Sequence, residues 1–232
     1  MSTTRRAFLQ NATASAAAIG FPAVLRAANP NSMLQIASIG AGGMAYSDIK
    51  STMDHPKVKY VAFCDVDTSH FANVDKEFPD TGRFQDYREM LAKLGDKIDA
   101  VNIGIPDHMH AKAAMDAMNA GKHVYLQKPL THTVWESRQL RLKAEKSGLI
   151  TQMGNQIHSA IEYRLGTRLI KEGAIGKVKK VYSWVGVTGN ERTRLLEPPK
   201  TKAKPPATLD WNLWVGVAPM RDYAEVYHPF IW

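Results

Sequence analysis

The junction between Leu34–Ile39 (LQIASI) and Gly40-Ala41-Gly42-Gly43-Met44-Ala45 constrains the fold more than any other feature of this chain. A short apolar run bounded by glycine reads as a buried strand, and a helix is expected from the glycines to about Met53. In Gly40-x-Gly42-x-x-Ala45 each small residue has its own role. The first glycine permits a tight turn. The second, without a Cβ, lets a phosphate approach the backbone, and the third position must be small for helix–strand packing. The helix start then offers free N–H groups and a positive dipole to an anion.

A glycine-rich turn is often only a turn, so a second feature is needed. Val58–Cys64 (VKYVAFC) reads as the next strand and ends at Asp65, 25 residues beyond Gly40. An acid there can hydrogen-bond a ribose diol. Together the two features point to a dinucleotide, with Gly40, Ala41, Gly42, Gly43 and Met44 at the phosphates and Asp65 at the ribose. Asp65 would repel a 2′-phosphate, and Val66 and Asp67 supply no Arg or Lys to offset that. NAD is therefore expected over NADP.

The pattern continues as alternating strand and helix. Strands are expected at Ile98–Ile103, His123–Leu126 and Leu149–Met153. Helices are expected from the capping box at Asp86–Glu89, from Asp107 to about Ala120, and from the capping box at Thr133–Glu136 to about Ser147. This alternation implies βαβ units and a parallel sheet covered on both faces, an α/β Rossmann fold over residues 33–155. After Asn155 the pattern changes. Ser159–Glu162 reads as a third capping box, opening a helix with Ile161, Leu165 and Leu169 on one face. Val178–Val187 reads as a long strand of another sheet, and Trp211 and Trp214 as anchors of a short helix. Residues 156–232 are expected to be the start of an α+β domain cut short, because one strand cannot make a stable sheet.

Residues 1–32 read as a leader: Thr4–Gln10 (TRRAFLQ) looks like a twin-arginine motif, followed by an Ala-rich apolar stretch too short to span a membrane. The twin-arginine export machinery is then an expected partner, and a periplasmic or other extracytoplasmic location follows. The leader also bears on charge. Taking Arg5, Arg6 and Arg26 from the 30 basic residues leaves 27 against 22 acidic, a net +5. The densest cluster, Lys177, Lys179 and Lys180, lacks interleaved aromatics and reads as a solvated strand edge, so no nucleic-acid partner is expected. The lone Cys64 excludes an intrachain disulfide and reads as a small buried hydrophobe. His108 and His110, two apart, point to different faces, so no metal site is expected from them. His132 and His158 read as structural or exposed.

The stretch Ile98–Leu130, IDAVNIGIPDHMHAKAAMDAMNAGKHVYLQKPL, resembles the Gfo/Idh/MocA oxidoreductases, which act mostly on sugars, inositols and related polyols. Pro106, Asp107 and His110 match their Pro-Asp-x-x-His turn, Gly121–Val124 their Gly-Lys-x-Val strand, and Lys128-Pro129 their catalytic pair. Gln127 departs from the family's usual Glu, and Asn155 falls where the last Rossmann strand meets the substrate domain. The resemblance implies Pro106, His110, Gln127, Lys128 and Asn155 beside the cofactor, with Lys128 the acid–base in hydride transfer at a carbinol carbon. If the family's Glu touches that lysine, Gln127 removes a negative charge beside it. The resemblance also implies a homo-oligomer, and a downstream Asp and His, yet no Asp-x-x-x-His follows Asn155. Two other readings remain open: transient NAD oxidation that cleaves a glycoside without net redox, and a binding-only protein.

Overall fold

The computed structural model describes residues 33–184, 199 and 202–227, and the described residues from Leu34 onward fall in one compact unit. The twin-arginine reading falls outside the described residues. Six strands form one parallel sheet: β1 (Leu34–Ile39), β2 (Val58–Cys64), β3 (Gly82–Phe84), β4 (Ala100–Ile103), β5 (His123–Gln127) and β6 (Thr151–Gly154), in spatial order β3-β2-β1-β4-β5-β6. This is the dinucleotide-binding order, and strand order reverses beside β1. The helices between them are α1 (Gly43–Thr52), α2 (Phe71–Glu77), α3 (Tyr87–Leu94), α4 (His110–Asn119) and α5 (Val134–Ser147). Two helices, α6 (Gln156–Ser159) and α7 (Ile161–Lys171), follow β6, and α8 (Trp211–Val215) comes later.

The ends of α5 are written in its sequence. Thr133 accepts the amide of Glu136 while the Glu136 carboxylate accepts the Thr133 amide, and Gly148 stops the helix at φ 67°. Two other caps differ from expectation. Asp107 opens a 3-10 turn, so α4 starts only at His110 with no side-chain cap. Ser159 is the last residue of α6, so Ala160 precedes α7 and no capping box forms.

Apolar side chains bury both faces of the sheet. One cluster holds Ala37, Ala62, Cys64, Met90, Val101 and Ile103; the other holds Ile49, Tyr60, Phe63, Phe71 and Val74. Each large side chain among them contributes about 1.5–3 kcal/mol. Strict alternation would put Tyr60 and Ala62 on the same face. The β1–β2 register slips between Ile36 and Ala37, which leaves Val61 as an extra residue in β2. Val61 and Ala62 therefore face one cluster, while Tyr60 and Phe63 face the other and stack at 5.3 Å.

One expectation is corrected. Residues 178–184 join no sheet among the described residues, because an isolated strand has no partner for its backbone groups; residues 185–187 of the expected strand lie outside the described residues. Residues beyond Asn155 also touch the loop after β2: Asp67 and Leu209 form an antiparallel bridge and Asp210 donates its amide to the Val66 carbonyl at 2.9 Å. The Ile161, Leu165 and Leu169 stripe of α7 is exposed. Strand β3, with three residues, carried no apolar run to reveal it.

The tightest packing lies where order reverses. Gly40 sits at φ 101°, and a Cβ there would meet the Gly104 carbonyl oxygen at 2.5 Å and the Ala45 Cβ at 2.8 Å. A Cβ on Gly104 would meet the Ala45 Cα at 2.8 Å. Gly104→Ala should therefore lower stability by about 1–3 kcal/mol. Gly95→Ala is the control: that residue is right-handed helical with nothing within 4 Å of the new methyl, and the change should be neutral or slightly stabilising. Thermal unfolding of both variants tests the contrast; equal midpoints would show that the Gly104 backbone yields freely.

Candidate active site

Parallel register brings the carboxyl ends of the strands together. Ile39 lies beside Cys64 and Ile103, Ile103 beside Leu126, and Gln127 beside Gly154. The loops leaving these ends enclose a crevice of about 890 Å³. Gly42, Gly43, Met44 and Asp65 line it from the β1 and β2 ends, and Pro106, His110, Gln127 and Lys128 from the β4 and β5 ends. Gly40 and Ala41 are buried behind this surface, and Asn155 is exposed beyond the β6 end without lining the crevice.

Asp65 is the anchor of the glycine turn. Its Oδ2 accepts the Ala41 amide at 2.9 Å and lies 3.1 Å from His70 Nδ1, while Oδ1 accepts the Asp67 amide at 3.0 Å. A carboxylate offers about four acceptor positions, so a ribose hydroxyl still finds one. Gly42 does more than admit a phosphate: a Cβ there would lie 2.8 Å from Cγ of the His70 ring. Gly43, at φ 50°, has nothing within 4 Å of its missing Cβ, so the open approach lies there. Free N–H groups at the start of α1, a glycine cradle and an anchored acid fit an NAD pyrophosphate and ribose.

His110 is 1% exposed and bonded at both ring nitrogens: Nδ1 lies 2.7 Å from the Pro129 carbonyl and Nε2 2.8 Å from the Ile105 carbonyl. It ties the turn after β4 to the loop after β5. That loop carries Lys128, whose exposed side chain lines the crevice and whose bond to Pro129 is cis. His110 thus positions Lys128 through the backbone.

Gln127 is buried and its contacts are specific. Its amide nitrogen donates to Asp48 Oδ1 at 3.0 Å and Oδ2 at 2.7 Å. Its oxygen accepts the Lys128 backbone amide at 3.2 Å and Gln156 Nε2 at 3.1 Å. The side chain therefore reaches the Lys128 backbone, and the carboxylate it meets is that of Asp48. Burial pushes the Asp48 carboxyl up, and the hydrogen bond from Gln127 partly offsets this. Burial also pushes the Cys64 thiol up, as expected of a packed small hydrophobe.

One wall of the crevice carries no signal in the sequence. Asn212, Leu213, Trp214 and Val217 line the crevice from α8 and the residue pair after it. His108 Nε2 lies 2.9 Å from the Trp214 carbonyl, and the Val217 amide lies 3.4 Å from Met109 Sδ. Gln85 reaches the Thr208 carbonyl at 3.2 Å. The pair of tryptophans marks α8, where they stack at 4.7 Å, but their spacing carries no information about which surface they meet.

These features define a dinucleotide-binding Rossmann domain with its ligand crevice at the strand-order reversal. Residues 34–155 match the oxidoreductase family with an NAD-binding Rossmann fold, and the chain belongs to that family, the Gfo/Idh/MocA oxidoreductases. A glycosyl hydrolase family 109 protein from Shewanella sp. (strain MR-4) is 28% identical over 155 residues, which cover 63% of this chain and 33% of that protein. An alpha-N-acetylgalactosaminidase from Shewanella oneidensis is 28% identical over 158 residues, with the same shares covered. Among solved structures, a myo-inositol 2-dehydrogenase from Lactobacillus plantarum is 26% identical with a TM-score of 0.58, over 63% of this chain and 43% of that one. A scyllo-inositol dehydrogenase from Lactobacillus casei, solved with NAD(H) and scyllo-inositol, shares the fold at 24% identity and a TM-score of 0.57, over 62% of this chain and 43% of that one. The chain matches about a third of the length of these curated relatives.

The Asp48–Gln127 contact yields a direct test. In Gln127→Glu, two carboxyl groups face each other and must share a proton. The native state then holds a proton that the unfolded chain releases, so stability falls as pH rises. A loss of about 2 kcal/mol at pH 8, smaller at pH 5, is expected. Adding Asp48→Asn supplies a donor again and should recover at least half of it. Unfolding midpoints of the single and double variants at both pH values decide the matter; no recovery would show that the two side chains are not coupled.

Proposed function

We propose that this chain is the cofactor-binding part of an NAD-dependent oxidoreductase acting on a sugar, inositol or related polyol. The observation that supports it best is the placement of Lys128 at the end of β5, on the same crevice as Gly43 and Asp65. When bound, the nicotinamide supplies the hydride-accepting or hydride-donating carbon. Lys128 then takes the proton from the substrate hydroxyl on oxidation and returns it on reduction. His110 and Gln127 hold the backbone on either side of Lys128. The N–H groups at the start of α1 would hold the pyrophosphate, and Asp65 would accept a ribose hydroxyl. The negative charge of Asp65 disfavours a 2′-phosphate, which supports NAD over NADP.

A second reading is favoured by the curated relatives, which carry glycosidase names. In that reading a sugar hydroxyl is oxidised to a ketone, the glycosidic alcohol is eliminated, water adds across the resulting double bond, and the ketone is reduced again by the same cofactor, with no net redox. Release of nitrophenol from an aryl N-acetyl-α-galactosaminide without accumulation of NADH would support it. Conversion of an inositol with stoichiometric NADH would support the dehydrogenase instead.

The twin-arginine reading of Thr4–Gln10 adds a constraint. Free NAD is a cytoplasmic metabolite, so an exported enzyme would carry its cofactor through a folded-state route and restore it in each cycle. Protein from the exported fraction should keep nucleotide through gel filtration. Nucleotide-free protein that works only with added NAD would overturn this.

Lys128→Ala should lower turnover by about 10²–10⁴-fold, the usual scale for a positioned acid–base group. The affinity for NAD should change by less than about threefold, since the proton-transfer step is separate from cofactor binding. Steady-state rates and a cofactor titration on the same preparation check both halves. A large loss of NAD affinity would assign Lys128 to cofactor binding.

A further inference from the structure

His70 occupies a place that neither the glycine motif nor the catalytic lysine explains. It ends the 3-10 turn Thr68–His70, just before α2, and lines the crevice beside Gly42, Gly43 and Asp65. Its Nδ1 lies 3.1 Å from Asp65 Oδ2. Its ring covers the face of Gly42 so closely that a Cβ there would come within 2.8 Å of Cγ. The imidazole is therefore wedged between the turn that faces a pyrophosphate and the acid that faces a ribose. The charged groups that act on it include Asp65 from the end of β2 and Asp67 from the start of its own turn.

We propose that His70 is a specificity-determining residue: by pairing with Asp65 it sets how strongly that carboxylate rejects a 2′-phosphate, so that discrimination between NAD and NADP depends on its charge. This rests on the dinucleotide reading of the crevice. The physical argument is electrostatic. A lone carboxylate at the ribose repels a phosphate monoester, which carries nearly two negative charges above its second pKa of about 6. An imidazolium 3.1 Å from that carboxylate cancels most of its field. At an effective dielectric of about 40, one unit charge acting on another over about 6 Å is worth roughly a tenfold change in affinity. NAD has no 2′-phosphate and is little affected.

The direction follows from the surroundings. The hydrogen bond to Asp65 holds His70 protonated above its ordinary range, against the opposing effect of burial, and the Asp65 and Asp67 charges add to the upward shift. Asp67 is itself a carboxylate: burial raises it, but hydrogen bonds from the Ser69 hydroxyl and amide prevail and the net direction is down. Low pH thus gives a charge-compensated acid that tolerates NADP. Raising the pH removes the imidazolium charge and restores the repulsion.

The test is calorimetric titration of the chain with NAD and with NADP at pH 6 and pH 9. Three proteins are compared: the native chain, His70→Gln, which carries no charge at either pH, and His70→Lys, which carries one at both. The 2′-phosphate titrates in this range too, and the variants separate its contribution. At pH 6 the native ratio of NAD to NADP affinity should be about tenfold lower than that of His70→Gln, and at pH 9 the two should agree within about threefold. His70→Lys should keep the low ratio at pH 9, which holds even if loss of the ring weakens the glycine turn in His70→Gln. If both nucleotides bind and the three proteins give the same ratios, the proposal is wrong and the cofactor site stands. If neither nucleotide binds at either pH, the site reading falls and this proposal with it.

Discussion

The contact among Gly40, Gly104 and Ala45 is the point on which the site depends. Two loops leave neighbouring parallel strands there and move apart into the crevice, and the backbone of one touches the first turn of α1. Any side chain at either glycine would separate β1 from β4 at the end where a ligand binds. The six parallel strands need helical crossovers, and these place every loop that follows a strand at the same end. The close contact decides how near those loops come to one another.

Around that point the polar groups form a connected support. Asp65 holds the glycine turn through the Ala41 amide, and Asp48 holds Gln127, which holds the Lys128 amide. His110 holds the Pro129 carbonyl from the other side. Buried groups of this kind are costly unless bonded, and here each bond also fixes a backbone segment that faces the ligand. Lys128 itself stays exposed on the crevice.

The site was only partly legible in the sequence. Gly40, Gly42 and Asp65 could be read because their roles are local: a turn, a close approach and a strand end. Lys128 could be read from its place after a buried strand and before proline, together with the family resemblance. The partner of Gln127 could not be read, because Asp48 lies 79 residues earlier and only the packing of α1 against the sheet brings the two together. The same holds for residues 208–217, whose contacts with Val66, Gln85 and His108 cross more than a hundred positions of chain; His70 lies only five residues beyond Asp65 but carries no motif.

Periodicity and turn chemistry alone determined that this chain makes a parallel α/β sheet with a glycine turn after its first strand. Those signals arise from neighbouring residues: apolar runs of strand length, small residues where a helix meets a strand, and caps such as Thr133 with Glu136. Tertiary structure decided the rest: which carboxylate meets Gln127, and which later segment walls the crevice. These are contacts between side chains and loops far apart in sequence. Their energy depends on distances that only the packed sheet sets, so no local pattern could encode them.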